Sequence, residues 1–346
     1  MLINKQQGTK PQKCCHHFSH IRTMAEFRWN PLLDTYTMVA TNRQHRPHLP
    51  KDFCPFCPSQ NKKLPKYDVL AYDNDFPAMS IQPEEVKYQK KNSIFRNAEA
   101  AGKCEVILYS PQHNKSIYQL NDSHLLKIAD LWAHRFKELK KDKRIKYIFE
   151  FENRGEEVGV TIPHPHGQLY AYSFIPPKIR EELKNCKAYL KKNGRPLFYD
   201  LNIAEKKHKK RVVFENRNFI AYIPYFTDYP FGVFIVNKQL KGNITEFNTA
   251  EKKDLMQAIK KITAAFDKVF ERQFPYMMCM HQTPVNDARY DDAANYYSFH
   301  IEFYTPLRAQ DKIKWYAGSE MGAGVAANPL DVDACAEILR SKISKS

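Results

Sequence analysis

Apolar residues recur at helical spacing in two long stretches of the chain, one in each half. The first predicted helix is capped by Asp122, and the second, capped by Asn248, covers about residues 250–272. Each apolar stripe is expected to face the core, because positions three and four apart share one face of a helix. The stripes consist of Leu125, Leu126, Ile128, Leu131, Trp132, Phe136 and Leu139 in the first helix, and of Leu255, Ile259, Ile262, Phe266 and Phe270 in the second.

Short apolar runs bounded by turn residues predict strands on both sides of each helix. Residues 27–40 indicate a hairpin that turns at Asn30-Pro31 and Asp34. The charged segment 177–194 is typical of a solvent-exposed helix, and a short final helix is predicted near residues 333–341. The other predicted strands cover residues 106–110, 147–153, 212–225, 231–237 and 296–304.

Strands, a helix and a histidine-bearing strand follow one another in each half, which indicates an ancient duplication. We expect an N-terminal half at residues 24–177 and a C-terminal half at residues 178–346, preceded by a mobile tail at residues 1–23. Met24 is an alternative start. A CCHH run in the tail is a weak metal-site candidate, because side chains adjacent in sequence rarely close a tetrahedral site.

The composition fits a folded globular protein of 346 residues, with 43% hydrophobic and 27% charged positions. Collagen-like, low-complexity and wholly disordered chains are excluded. Neither a membrane-spanning apolar run nor a secretory signal is found, so the eight cysteines are expected to be free or metal-bound thiols of a cytoplasmic protein.

The formal net charge of +16 has two explanations. One is a solvated, lysine-rich surface, and the other is an anionic partner such as nucleic acid or a phosphorylated metabolite. The lysine clusters at residues 140–143 and 206–210 do not alternate with aromatic residues as in a nucleic-acid-binding pattern. A solvated surface is therefore favoured for most of these lysines, and nucleic acid is not the expected partner.

The most informative segment is FENRGEEVGVTIPHPHGQLYAYSFIP at residues 151–176, which contains an H-P-H-G-Q run. In an extended chain alternate side chains share a face, so that His164, His166 and Gln168 could project together. Neutral imidazole can attack phosphorus and form a covalent intermediate. Glutamine offers a hydrogen bond to a phosphoryl oxygen and cannot act as an acid. The run therefore indicates nucleotidyl transfer, although a pair of surface histidines is the ordinary alternative for an isolated H-x-H.

Two further groups of residues suggest metal sites. Cys54-Pro55-Phe56-Cys57 is a single CxxC motif, which could also be a redox pair, and its economical partners for a tetrahedral zinc site are His113 and His164. The second group is His281 with His300 and Glu302, for which a core or surface position is the simpler explanation.

These motifs resemble the galactose-1-phosphate uridylyltransferase family of the histidine-triad superfamily. Further matching segments, in the family's order over about residues 27–340, are RWNPLLDTYTMVATNRQHRP, SPQHNK, FPYMMCMHQTPVN, HIEFYTPLR and KWYAGSEMGAG. The resemblance implies an α+β, duplicated HIT-like fold with two open antiparallel half-barrel sheets and packed helices. It also implies a homodimer.

The implied reaction exchanges UDP-glucose and galactose 1-phosphate for glucose 1-phosphate and UDP-galactose, by a ping-pong path through a uridylyl-histidine. His166 matches the nucleophile and Gln168 the residue that orients the phosphoryl group. Lys314 and Glu320 match hexose-phosphate contacts donated by the neighbouring subunit. The remaining implied substrate contacts are Arg43, Arg46, Asn74, Asp75, Asn153, Gly159 and Thr161.

The resemblance also implies two metal sites. Cys54, Cys57, His113 and His164 match zinc ligands. Glu182, His281 and His300 match a second site that takes iron or a second zinc, with Glu181 as the neighbouring alternative to Glu182. Glu302 stands where a third histidine is usual, and a carboxylate can also bind either metal.

Two other functions compete with this interpretation. A related phosphorylase or adenylyltransferase acting on ADP-sugars or dinucleoside polyphosphates would use a similar nucleophilic histidine. A basic nucleotide- or RNA-binding protein would account for the charge, and its binding would depend steeply on salt. Comparing UDP-glucose with ADP-glucose as donor distinguishes the enzymes.

Overall fold

A computed structural model describes residues 25–45, 53–86 and 94–343. The predicted tail at residues 1–23 and Arg46 lie outside the described residues. The strands are β1 (Ala25–Asn30), β2 (Thr35–Ala40), β3 (Leu70–Asp73), β4 (Asn97–Glu99), β5 (Gly102–Leu108), β6 (Tyr147–Arg154), β7 (His166–Tyr172), β8 (Val212–Glu215), β9 (Phe219–Tyr222), β10 (Phe234–Asn237), β11 (Tyr276–His281), β12 (His300–Tyr304), β13 (Leu307–Ala309) and β14 (Lys312–Ile313). The helices are α1 (Asp122–Leu139), α2 (Pro177–Asn193), α3 (Leu197–His208), α4 (Thr249–Val269) and α5 (Val332–Ile343).

A nine-stranded sheet runs through both halves in the order β3-β5-β7-β6-β11-β12-β10-β9-β8. Its neighbouring strands pair antiparallel. A smaller sheet, β2-β1-β4, contains the predicted N-terminal hairpin. The predicted α+β class with antiparallel sheets is confirmed.

The strand order repeats itself across the two halves. The unit β5-α1-β6-β7 has the same chain order as β10-α4-β11-β12, and the spatial orders β3-β5-β7-β6 and β9-β10-β12-β11 correspond strand by strand. Pairing of β6 with β11 joins the two half-sheets edge to edge. As a result, His166 at the start of β7 and His300 at the start of β12 occupy equivalent positions.

Helices α1 and α4 cover one face of the large sheet. The residues that face them from β7 and β12 include Leu169, Ala171, Ile301 and Phe303, which are buried in the same core cluster as the two helices. Side chains alternate between the faces of a strand. The alternating residues that start at His166 in β7 and at His300 in β12 therefore project from the opposite face, the open face of the sheet.

The helix caps agree with the prediction in one case and correct it in the other. Asn248 caps α4, and Glu251 completes the capping box. The cap of α1 is Asn121 rather than Asp122, because the Asn121 side chain accepts the backbone N–H of His124 at 2.9 Å. Asp122 is instead the first helical residue, where its negative charge interacts favourably with the positive end of the helix dipole.

Helix α2 is not exposed on all sides as predicted. It buries Ile179, Leu183 and Cys186 against a cluster on the open face of the second half-sheet. Their spacing of four and three residues forms a narrow apolar stripe between lysines and glutamates, and this stripe is easily overlooked. Helix α3, which the sequence pattern did not predict, packs Phe198 into the same cluster. No helix in the described part of the chain is long and apolar enough to cross a bilayer.

Candidate active site and metal centres

The open face of the sheet brings together most of the predicted substrate-binding residues. His166 and Gln168 lie on β7, and together with Asn74, Asp75 and Thr161 they line a cavity of about 90 Å³. A second cavity of about 410 Å³ adjoins it at Gln168, and Arg43, Asn153 and Gly159 are among the residues lining it. The two cavities could hold adjoining parts of one ligand, with Gln168 between them.

His166 is held in a defined tautomer by its own loop. Its Nδ1 lies 2.7 Å from the carbonyl oxygen of His164. A carbonyl oxygen only accepts, so Nδ1 carries the proton and Nε2 presents a lone pair. The Phe56 ring packs edge-on against the imidazole, with the ring centroids 5.2 Å apart. The arrangement therefore fixes the ring orientation and leaves Nε2 unprotonated.

Close packing against the core requires a glycine between His166 and Gln168. A Cβ at Gly167 would lie 2.3 Å from the hydroxyl oxygen of Tyr109, which is buried beneath the strand. Only glycine lets β7 lie this close to the core, and the strand carries both neighbouring side chains to the open face. Gly167 therefore allows the backbone position from which His166 and Gln168 project.

The loop before β7 contributes a third cavity beside His166. This cavity of about 420 Å³ extends along the loop past Gly155 to Arg154. The Arg154 guanidinium pairs with Asp267 at 2.6 Å, so that carboxylate largely neutralises its charge. Gly159 has a φ of +80°, a left-handed conformation that glycine adopts without strain.

Lys314 and Glu320 lie apart from this site. They form an ion pair at 2.9 Å in the segment after β14, and neither lines a cavity beside His166. The pairing with Lys314, followed by backbone N–H donors, lowers the pKa of Glu320 to about 2. That these residues reach a neighbouring subunit's site stays a prediction.

Cys54, Cys57, His113 and His164 form a compact cluster, as the sequence predicted. The Cys57 Sγ lies 3.2 Å from His113 Nδ1 and 3.5 Å from His164 Nδ1, and the Cys54 Sγ lies 3.7 Å from His164 Nδ1. Donor atoms around a tetrahedral zinc are separated by roughly 3.3–3.8 Å, given bonds of about 2.0–2.3 Å. The geometry therefore fits zinc.

The surroundings of this cluster also suit zinc. His164 Nε2 lies 2.8 Å from the carbonyl oxygen of Ser110, which directs the Nδ1 lone pair at the thiols. Burial lowers the pKa of His164 to about 4, so the ring is neutral at pH 7. Burial and the adjacent Cys54 raise the pKa of Cys57 to about 11. Two ionised thiols at this position would therefore need the charge of a metal ion.

A second cluster, on the open face of the C-terminal half, contains Glu182, His281, His300 and Glu302. One donor atom from each lies within 4.8 Å of all the others. Glu182 Oε2 accepts from His281 Nδ1 at 2.9 Å and from the Tyr297 hydroxyl at 2.6 Å. The ambiguity between Glu181 and Glu182 is thus resolved in space, since Glu181 points outward and pairs with Lys184.

His300 directs a lone pair into this cluster. Its Nδ1 lies 2.9 Å from the carbonyl oxygen of Ser298, so Nδ1 is the protonated nitrogen. Its Nε2 is buried, makes no hydrogen bond with any described residue, and lies 3.3 Å from Glu302 Oε1. Two electron-rich atoms that face each other in this way fit a bound cation. The donor set therefore suits a divalent metal that accepts nitrogen and oxygen ligands.

Lys178 is the residue of the second cluster that the sequence interpretation missed. Its Nζ lies 2.6 Å from Glu302 Oε2 and 3.9 Å from Glu182 Oε1. Burial opposes ionisation of Glu302, but His281, His300 and Lys178 outweigh it and hold the pKa of that carboxyl well below its usual range. The one available signal was the spacing of Lys178 four residues before Glu182, which places both on one helix face.

Sequence comparison identifies the same family over both halves. The family model described as "Galactose-1-phosphate uridyl transferase, N-terminal domain" matches residues 17–176, and its C-terminal counterpart matches residues 182–331. The galactose-1-phosphate uridylyltransferase of Thermotoga maritima is 35% identical over 92% of this chain and 98% of its own. The enzyme of Saccharomyces cerevisiae is 32% identical over 91% and 93%, respectively.

Solved structures show the same similarity. A uridylyltransferase structure superposes with a TM-score of 0.82 at 29% identity, covering 92% of this chain and 99% of the other. An ADP-glucose phosphorylase from Arabidopsis thaliana superposes with a TM-score of 0.70 at 21% identity, covering 91% and 98%. The second similarity shows a shared fold.

Proposed function

Because the chain belongs to the galactose-1-phosphate uridylyltransferase family, we propose that it transfers a uridylyl group from UDP-glucose to galactose 1-phosphate, with His166 as the nucleophile. The enzyme is a UDP-glucose–hexose-1-phosphate uridylyltransferase. The observation that supports the nucleophile assignment is the contact of His166 Nδ1 with the carbonyl of His164 at 2.7 Å, which leaves Nε2 unprotonated and able to attack.

The reaction divides into two matched displacements. Nε2 of His166 forms a bond to the phosphorus next to uridine, and the bond from that phosphorus to the glucose 1-phosphate oxygen breaks. Glucose 1-phosphate leaves with the bonding electron pair. A phosphate oxygen of galactose 1-phosphate then attacks the same phosphorus, and the bond to Nε2 breaks, which restores neutral His166.

The remaining contacts are assigned from their positions on the open face. Gln168 would donate its amide N–H to a phosphoryl oxygen during both displacements. Asn74, Asp75 and Thr161 beside His166, and Arg43, Asn153 and Gly159 beyond Gln168, would contact nucleotide and phosphate, as would Arg46 outside the described residues. Arg43 Nη1 donates to the Tyr170 hydroxyl at 2.9 Å, which orients its guanidinium along the strand.

A homodimer would complete the hexose-phosphate site. Lys314 and Glu320 lie outside the cavities of their own chain, in a segment that exposes Trp315 (66%) and Met321 (74%). Large exposed apolar side chains beside a buried ion pair suit a subunit interface. We further assign the two duplicated units to residues 24–177 and 178–346, and we place the enzyme in the cytoplasm, where thiols stay reduced.

We assign zinc to the cluster of Cys54, Cys57, His113 and His164, and iron or a second zinc to that of Glu182, His281, His300 and Glu302. Bound at the first cluster, zinc supplies structural cross-linking of the loop before β7. The second cluster has no residue among those lining the cavities at His166. Its metal would therefore be structural as well.

Replacing Cys57 by Ser is expected to remove zinc from the first cluster and to lower the melting temperature. The thiolate ligand is lost, so the folded state no longer gains the free energy of binding zinc at a four-ligand site that the unfolded chain lacks. Metal analysis and thermal unfolding of the purified protein measure both effects. Cys335→Ser, at a buried thiol remote from the cluster, is the control. Unchanged zinc content in Cys57→Ser would show that the metal is held elsewhere.

The donor experiment tests the proposed function. With galactose 1-phosphate as acceptor, UDP-glucose should support release of glucose 1-phosphate at a rate at least about 100-fold above that with ADP-glucose, since a site that hydrogen-bonds one base rejects another strongly. Faster release from ADP-glucose, or release that requires inorganic phosphate as acceptor, would instead assign the enzyme to the phosphorylases.

A further inference from the structure

The second cluster contains a positive charge of the chain's own. The Lys178 ammonium contacts Glu302 Oε2 and the Tyr304 hydroxyl, each at 2.6 Å. The Glu302 side chain is buried, whereas the exposed fraction of the Lys178 side chain is 56%. The lysine thus extends from the surface and neutralises a carboxylate that could otherwise bind a metal as a fully charged ligand.

Glu302 in the C-terminal half occupies the position equivalent to Gln168 in the N-terminal half. Gln168 lies two residues after His166 on β7, and Glu302 lies two residues after His300 on β12. The neutral amide suits a phosphoryl group, whereas the carboxylate repels one and attracts a cation. Glu182 adds a second carboxylate to the same cluster. The duplicated position therefore favours a cation, which Lys178 or a bound metal could supply.

We propose that Lys178 and a divalent metal are alternative cations for the Glu182–Glu302 pair, so that this chain's second cluster is stable without metal and binds it weakly. A positive charge held beside the two carboxylates repels a dication that binds the same oxygens. The ammonium already offsets the repulsion between the two carboxylates. The proposal concerns metal binding alone and does not depend on the transferase assignment.

Mn²⁺ is the suitable probe, because carboxylate and imidazole ligands bind it and thiolates prefer zinc. The protein is first brought to one zinc per chain, which the Cys/His cluster holds. Mn²⁺ binding is then measured by electron paramagnetic resonance of the free ion. His300→Ala identifies the signal of the second cluster, because it removes one ligand.

Lys178→Met should tighten Mn²⁺ binding by about tenfold or more, because the competing charge is gone. Lys184→Met is the matched control, since Lys184 lies on the same helix and its partner is the outward-facing Glu181. Lys178→Gln, which retains a polar end, should behave like Lys178→Met. Unchanged or weaker Mn²⁺ binding in both Lys178 variants would overturn the proposal.

Thermal unfolding separates this competition from a simple salt bridge. Without Mn²⁺, Lys178→Met should melt below the wild type, because the buried Glu302 and the half-buried Glu182 lose their counter-charge. With saturating Mn²⁺ the difference should disappear. An equal decrease in both conditions would overturn the proposal, as would a wild-type second cluster that holds its metal as tightly as the Cys/His cluster.

Discussion

The His166→Gly variant is expected to lose uridylyl transfer by roughly six orders of magnitude, the scale on which enzymes respond to removal of a nucleophile. No other described side chain presents an imidazole lone pair beside Gln168 in the same cavity. Release of glucose 1-phosphate from UDP-glucose, in the presence of galactose 1-phosphate, measures the loss.

The fold should tolerate this change. His166 lies at the first position of β7 and is partly exposed to the cavities, so that glycine there removes little packing. His208→Gly, at the exposed end of α3, is the matched control and should retain full activity. A His166→Gly variant that keeps its transfer rate would show that another group attacks phosphorus.

Gln168→Ala is expected to lower the transfer rate by about 10²–10³, the usual cost of one oriented hydrogen-bond donor in a reaction centre. The side chain lies between the two cavities on the open face, where it can reach a phosphoryl oxygen in both displacements. The loss should appear in kcat for both half-reactions. Gln257→Ala, on the exposed side of α4, is the control.

The same residue separates a transferase from a hydrolase. An amide cannot protonate the imidazole of a uridylyl-histidine, so the intermediate should resist water until galactose 1-phosphate arrives. Hydrolysis of UDP-glucose without acceptor should therefore be far slower than transfer in the wild type. A Gln168→His variant can supply a proton and should shift the ratio toward hydrolysis. Equal rates of hydrolysis and transfer in the wild type would contradict the transferase assignment.

The sequence predicted the local parts of this account because their signals are local. The periodicity of α1 and α4 and the H-P-H-G-Q run each lie within one element. The capping residue of α1 differs by one position, since Asn121 and Asp122 are both good caps and only the contact with His124 decides between them. Helix α3 lacks a strong cap and a regular apolar stripe, which explains why it was not predicted.

Long-range features were harder to predict for a physical reason. Pairing of β6 with β11 joins residues more than 120 positions apart, and no local pattern specifies which edge strands meet. The cluster of Cys54, Cys57, His113 and His164 could be predicted because the motif and ligand chemistry restrict the choices. Lys178 could not, because a lysine on a charged helix resembles any solvated lysine until its distance to Glu302 is known.

The most direct test of the central claim is to identify the covalent intermediate. Wild-type protein incubated with UDP-glucose labelled in the uridylyl phosphate, without acceptor, should carry an acid-labile, base-stable label on His166, and galactose 1-phosphate should remove that label as UDP-galactose. Label on a different residue, or turnover without any labelled protein, would contradict the account.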